Sequence, residues 1–556
     1  MLGRGAGGPS RHAVPGAPGP YRSGRRLRAQ PPRRALPRLA LALAMSLAPA
    51  GPTLAAMPEA RALAAAAAAS PELAAFYAAR GHAPLWIGTG APAARLEALL
   101  GAFVGAEAHG LASARWDAAA IRVRLGAIRS MEEAGAAEVA LSALFLDYAA
   151  ALEGGAVEPR AASSALVREV SRRAPAELLA AAEGGDLATL LRGLAPRSAE
   201  YGRLMRHKAA LERAVADGWG PEVAAARLAL GDAGPEVLAL RERLRAMGAV
   251  GRSLSPVYDE ALAEAVRGVQ ARAGLPQDGI AGPRTLAEIN ASPEARLGQV
   301  LVAMERERWL PRERGARHVR VNLAAFTAEI VDFETVSFST RAVIGSRMAG
   351  RETPEFSDEM EYMVINPSWH VPRSIAVEEY LPRLRADPYA ARHMEIVDGS
   401  GRAVDRGRGF SRYDARSFPY TLRQKPGPTN ALGSVKFMFP NVYNIYLHDT
   451  PAKGLFDEPM RAYSHGCVRL AEPRAFALTL LARQSVDPAA AFDRVREGGR
   501  ETRLSLDEPV PVHIDYRTAF TNARGALHFR PDVYDRDAAV LAALRAALAA
   551  PVAFGG

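Results

Sequence analysis

Cysteine is almost absent from these 556 residues: Cys467 is the only one. A single thiol cannot close an internal disulfide, so no covalent cross-link holds the fold. A lone thiol in an exported chain points instead to reactivity. Acid is absent from one stretch. Residues 1–56 carry nine arginines (Arg4, Arg11, Arg22, Arg25, Arg26, Arg28, Arg33, Arg34, Arg38) and no Asp or Glu. They account for nearly all of the formal net charge of +10, so the remainder is close to neutral. A neutral body lacks the basic footprint of a nucleic-acid binder. Long apolar runs free of charge are also missing. The apolar run from Leu39 to Ala50 is too short to span a bilayer. A basic start, a short apolar run and the small residues Thr53-Leu54-Ala55-Ala56 describe a secretory signal peptide over 1–56. The alternative is a disordered tail before a short buried helix. The expectation is an exported protein of a bacterial periplasm or cell envelope, with no membrane span after signal removal.

What is present suits folded domains: 49% apolar and 23% charged residues, over a length that implies several domains. Residues 57–228 are rich in Ala, Leu and Arg. Pro71–Arg80, Ala94–Phe103, Ala137–Leu152 and Glu200–Ala216 have helical apolar spacing, and Gly-Gly and Gly-Pro breaks separate them. This reads as a helical scaffold without chemistry of its own. Residues 229–290 predict three short helices. The first follows Gly234-Pro235 with a stripe of Val237, Leu238, Leu240, Leu244 and Met247; the second runs from Asp259 to Ala273; the third starts near Pro283. From about His318 the texture changes to short β-branched and aromatic segments: His318–Leu323, Phe326–Asp332, Val336–Ile344, Tyr362–Ile365, Val435–Phe439, Tyr443–His448 and Val510–Tyr516. Residues 374–424 interrupt that rhythm with helical and loop pieces. They are too long for a plain connection, and a lid or a surface insertion are the two readings.

The chemistry concentrates in two segments, Tyr443–Pro451 and Tyr463–Leu470. Strand alternation puts Tyr443, Ile445 and Leu447 on one face and Asn444, Tyr446 and His448 on the other. Cys467 follows Gly466 and precedes a helix that starts near Pro473, whose field is expected to lower the thiol pKa. Two histidines, a thiol and a glycine turn meet the requirements of acyl transfer: nucleophile, base and free backbone N–H groups. A zinc site on His448, His465, Cys467 and Asp449, and a structural cysteine, are the competing readings.

His448, fifteen intervening residues and Ser464-His465-Gly466-Cys467-Val468-Arg469 resemble the signature of the L,D-transpeptidase (YkuD-type) catalytic domain. Ile365–Pro372, Gly427-Pro428, Leu432-Gly433, Lys436-Phe437 and Pro509–Val512 resemble the large Gram-negative subfamily, and 229–290 resembles its peptidoglycan-binding-like module. The resemblance implies a multidomain α+β chain: a helical scaffold (57–228), the three-helix module (229–290), a mainly-β catalytic domain (316–500) with a lid, and a C-terminal extension (501–556). It implies that Cys467 attacks a stem peptide of peptidoglycan, forms a thioester and passes the acyl group to a second stem, giving a 3–3 cross-link. Water in place of the second stem would make the enzyme an L,D-carboxypeptidase, and an inactive wall-binding scaffold is the non-enzymatic alternative. His448 is the implied proton donor and acceptor. The backbone N–H groups of Gly466 and Cys467 are the implied oxyanion donors, and His465 orients the loop or lines the pocket. Ser464 makes a local hydrogen bond. Arg469 meets either a substrate carboxylate or a structural partner, and Tyr446 and Trp369 are pocket walls or core. No metal or cofactor is implied, and carbapenems are expected to acylate Cys467.

Overall fold

A computed structural model describes residues 58–111 and 114–549; the expected signal peptide lies outside them. The helices begin where the sequence supplies caps. Ser130 accepts from the Glu133 N–H, and Glu133 reaches back to the N-cap, opening the helix Met131–Gly154. Ser70 and Ser198 cap Pro71–Ala79 and Ala199–Asp217 in the simpler way. Met131–Gly154 is long and apolar enough to cross a membrane by length and composition, yet 67% of its apolar window is buried inside the protein. It is the central helix of the N-terminal core, packed by Trp86, Leu99, Phe103, Leu144, Phe145 and Tyr148. Its buried Glu138 accepts from the N–H groups of Leu85, Trp86 and Ile87 and from the Tyr77 hydroxyl. Burial pushes this carboxyl up, and those donors oppose the shift.

The expected three-helix module is present as Pro235–Ala246, Glu260–Ala273 and Pro283–Asn290. Val237, Leu240, Leu244, Leu262, Val266, Leu286 and Ile289 form its core. Leu238, counted on the stripe, instead faces solvent. Gln270 ties its turns together. Its amide donates to Asp278 and the Ile280 carbonyl, and its oxygen accepts from the Gly279 N–H.

A helix that the sequence reading passed over, Pro293–Trp309, carries the chain from this module to the β region. It packs against Ala199–Asp217 and Asp537–Ala549. Glu305, Arg306, Glu307 and Arg308 are all buried on it. They are paired: Arg308 with Glu305, Arg306 with Asp537, and Glu307 with Arg314 and Arg517.

The β region is one nine-stranded sheet. In spatial order it runs Ala462–Ser464, Thr335–Gly345, Val468–Leu470, Leu447–His448, Val435–Met438, Phe356–Ile365, Thr502–Asp515, Arg317–Asn322 and Thr327–Asp332. Thr327–Asp332 pairs in turn with Thr335–Gly345, which closes the sheet on itself. Val319, Ile344, Met363, Phe437, Leu447, Val468, Val512 and Ile514 fill the interior, and Phe476 and Leu480 of helix Pro473–Leu481 pack on it. Thr502–Asp515, beyond residue 500, is a central strand with partners on both edges. The chain then returns to the helical region, where Ala519, Val540 and Leu544 join the N-terminal core.

The insertion is a small folded unit. Trp369–His370, Thr421–Gln424 and Glu395–Val397 form a three-stranded sheet of its own, which the sequence reading did not include. Val371, Ile375, Leu384, Phe410, Phe418 and Leu422 make a separate core beneath it.

Candidate active site

Three short strands bring the candidate residues to one face. Val468–Leu470 runs parallel to Leu447–His448, with Val468 opposite Leu447 and Arg469 opposite His448. Val468 and Leu447 point into the core and are fully buried. Alternation therefore sends His448 and Arg469 to the other face, and two residues outside the strands join them there: the Tyr446 ring lies 5.6 Å from that of His448, and the Cys467 sulfur feels the charges of Arg469 and Lys436. Cys467 lies two residues before Arg469, the register partner of His448. The expected strand over Tyr443–Tyr446 does not form. Asn441 accepts from the N–H groups of Tyr443 and Ile445 and donates to the Phe439 and Ile445 carbonyls, which coils this segment. Asn444 takes a left-handed conformation (φ 54°), and its carbonyl lies 3.5 Å from the Cys467 sulfur.

His448 is buried, and its Nδ1 faces the backbone carbonyl of Asp449. A carbonyl only accepts, so Nδ1 holds the proton and Nε2 is the free base. Asp449 is itself fixed. Its carboxylate accepts from the Ser434 N–H and hydroxyl, both at 2.8 Å, from the Thr450 N–H at 2.7 Å and from Lys453 Nζ at 2.7 Å. Gly433 (φ 58°) makes this possible, because a Cβ there would lie 2.3 Å from the Asp449 carboxyl carbon. Burial lowers the His448 pKa to about 3, and the Arg469 charge adds to the shift.

The thiol departs from the expectation of a lowered pKa. Burial pushes Cys467 up to about 11, against hydrogen bonds from Tyr446 and the charges of Arg469 and Lys436. The helix invoked for lowering it starts only at Pro473, beyond the single turn over which a helix terminus acts. The resting pair is thus a neutral thiol beside a neutral imidazole.

The other candidates divide. Tyr446 lies over the site, with its ring 5.6 Å from that of His448. Burial lowers the pKa of Arg469. Its Nε is buried without a hydrogen-bond partner. The sequence reading missed Lys436, whose strand register places it beside His448 and whose ammonium sits 5.9 Å from the Tyr446 ring centre. The alternation Val435, Lys436, Phe437 marks its face, but only the strand pairing shows that this face is the site. Ser464 makes the local bonds expected of it: its hydroxyl accepts from the Gly466 N–H at 3.1 Å and donates to the Cys467 carbonyl at 2.5 Å. The Gly466 N–H is therefore occupied, contrary to its expected role as an oxyanion donor. The Cys467 N–H has no backbone acceptor among the described residues. His465 turns away, with Nε2 2.6 Å from Glu379 of the insertion. Arg351 binds Glu379 as well, at 2.9 Å. Trp369 lies in the insertion's sheet, 6.4 Å from the ring of Tyr380. The four residues of the zinc alternative point to different partners, and the described residues hold no cluster of three or more metal-binding side chains.

Residues 316–499 match the family model described as "L,D-transpeptidase catalytic domain" (YkuD), residues 233–289 the "Putative peptidoglycan binding domain", and residues 71–207 a "Scaffold domain". A Haemophilus influenzae protein named "Putative L,D-transpeptidase" is 32% identical over 219 residues, 39% of this chain and 44% of that protein. The chain thus spans less than half the length of that curated relative. Among solved structures, an L,D-transpeptidase fragment (residues 123–326) from Xylanimonas cellulosilytica is 17% identical, covers 52% of this chain and 98% of its own, and has a TM-score of 0.17. The L,D-transpeptidase (Yku) of Stackebrandtia nassauensis is 14% identical, covers 52% and 96%, and has a TM-score of 0.20. By family model, residues 316–499 are a YkuD-type L,D-transpeptidase catalytic domain, in a chain that also carries a peptidoglycan-binding domain.

Proposed function

We propose that this protein forms 3–3 cross-links between peptidoglycan stem peptides through a thioester on Cys467, in the bacterial periplasm. The observation that carries the reading is the shared face of Cys467, Tyr446, His448 and Arg469, with the Nδ1 proton of His448 committed to Asp449 and Nε2 left as base. His448 Nε2 takes the thiol proton as sulfur attacks the carbonyl of the third residue in a donor tetrapeptide. The tetrahedral intermediate then collapses. The C–N bond breaks, the imidazolium returns its proton to the departing D-alanine amine, and the thioester remains. The side-chain amine of a second stem attacks next, His448 accepts its proton, and the thiol is regenerated. Arg469 and Lys436 supply positive charge beside the thiol, suited to a carboxylate of the stem. The insertion closes over the thioester and excludes water, which favours the amine as acceptor. The module at 233–289 holds the enzyme to its polymer. Carbapenems, as strained acyl donors, acylate the same sulfur.

The test is incubation with disaccharide-tetrapeptide and mass analysis of the products. Cross-linked dimer supports the reading, whereas tripeptide alone identifies an L,D-carboxypeptidase. Cys467→Ala abolishes dimer formation if the proposal is right. Cross-linking by the variant at the wild-type rate identifies an inactive cysteine and overturns it.

A further inference from the structure

The peptide bond between Gly466 and Cys467 needs to be held, because glycine flanks it. Gly466 sits at φ 118°, a region that other residues rarely adopt, and the peptide beside so permissive a residue turns over easily. One side chain opposes that rotation. Thr353, fully buried, donates its hydroxyl proton to the Gly466 carbonyl at 2.7 Å. The same oxygen accepts from the Gly345 N–H at 2.9 Å.

Thr353 is in turn fixed through its main chain. Its N–H donates to the Tyr534 hydroxyl at 3.4 Å, and that hydroxyl donates to the Gly345 carbonyl at 2.6 Å. Its carbonyl accepts from Arg536 at 3.0 Å, and Arg536 is paired with Glu352 and Glu355. The approach is close: a Cβ on Gly345 would lie 2.6 Å from the Thr353 nitrogen. Every polar group of Thr353 is thus committed, two of them to the C-terminal segment 532–537.

In a trans peptide the carbonyl and the following N–H point in opposite directions. A Gly466 carbonyl held on buried Thr353 therefore directs the Cys467 N–H away from the interior. That N–H remains without a backbone acceptor, while the Gly466 N–H is spent on Ser464. We infer that Thr353 is a positioning residue that locks the Gly466–Cys467 peptide so that the Cys467 N–H faces the oxyanion formed during acylation. The inference rests on the reading of Cys467 as the acylated nucleophile.

The experiment compares two reactions of the same sulfur in the full chain, each followed by intact mass. Acylation by a carbapenem passes through an oxyanion; alkylation by iodoacetamide displaces iodide from a saturated carbon and does not. Thr353→Val removes the hydroxyl and keeps the volume. It is expected to slow acylation about 10- to 100-fold and leave alkylation within about twofold, while Thr353→Ser restores acylation. If Thr353→Val does not fold, Thr353→Ala carries the same comparison. Equal rates of acylation in variant and wild type overturn the inference, as does an equal loss in both reactions, which would mark a general disturbance of the thiol. Wild-type protein that is alkylated but never acylated fails the underlying nucleophile reading instead.

Discussion

A thiol held near 11 beside an imidazole held near 3 leaves little thiolate at neutral pH. Nucleophilicity then depends on transfer of the proton to His448 Nε2 as the bond to carbon forms. Reactions that cannot use such a transfer show the difference. Alkylation of Cys467 by iodoacetamide is expected to rise with pH towards about 11, with no plateau near neutrality. A thiolate–imidazolium pair would give that plateau, and a stopped-time mass assay across pH distinguishes the two. At this scale the sequence points to the candidate residues. His448, Cys467 and Arg469 are readable because spacing and residue type carry them. The sign of the thiol shift is not readable, since desolvation by Tyr446 and its neighbours depends on packing that no local pattern encodes.

At the scale of elements, the insertion meets the barrel through a small polar contact. Glu379 bridges His465, in the turn that carries the thiol, and Arg351 on the opposite side. Burial alone would raise Glu379, but His465 and Arg351 hold it below the usual carboxylate range. All three side chains are partly exposed, so each bond contributes little to stability, and its use is to set where the insertion rests. Glu379→Ala is therefore expected to increase tripeptide relative to cross-linked dimer a few-fold, with iodoacetamide alkylation unchanged. Chromatography of the products measures the ratio. Arg317–Asn322, Thr327–Asp332, Thr335–Gly345 and Val435–Met438 are legible from β-branched alternation to within a residue or so, whereas Ala462–Ser464 and Val468–Leu470 are not among the expected strands. Two further kinds of element were not legible. Trp369–His370 and Glu395–Val397 are too short to show a period. Pro293–Trp309 hides its burial behind the charged run Glu305-Arg306-Glu307-Arg308, which is neutralised by partners that include distant segments.

That charged cluster belongs to the scale of the whole molecule, because its members come from both the helical and the β region. Glu307 meets Arg314 and Arg517, and Arg517 also reaches Glu200 of the N-terminal helices. Burial opposes ionisation of Glu307, but the two arginines win and lower it from 4.5 to about 2. A depressed carboxylate stabilises the fold fully above its unfolded pKa and loses that contribution as pH falls from about 4.5 towards 2. Glu307→Gln is expected to cost on the order of 3 kcal/mol at neutral pH, and the gap to wild type should narrow as the pH drops below about 4.5. Denaturant melts at several pH values measure this gap.

Thr502–Asp515 completes the sheet. It fills the slot between Phe356–Ile365 and Arg317–Asn322, whose parallel partners lie roughly 190 residues apart in the chain. Until that last long strand arrives, the sheet keeps two open edges and cannot close. The segment that grips Thr353 comes later still, through Tyr534 and Arg536. A chain that has not yet placed this segment would thus hold its sulfur in an unfinished setting, and completion of the site would be the closing step of folding.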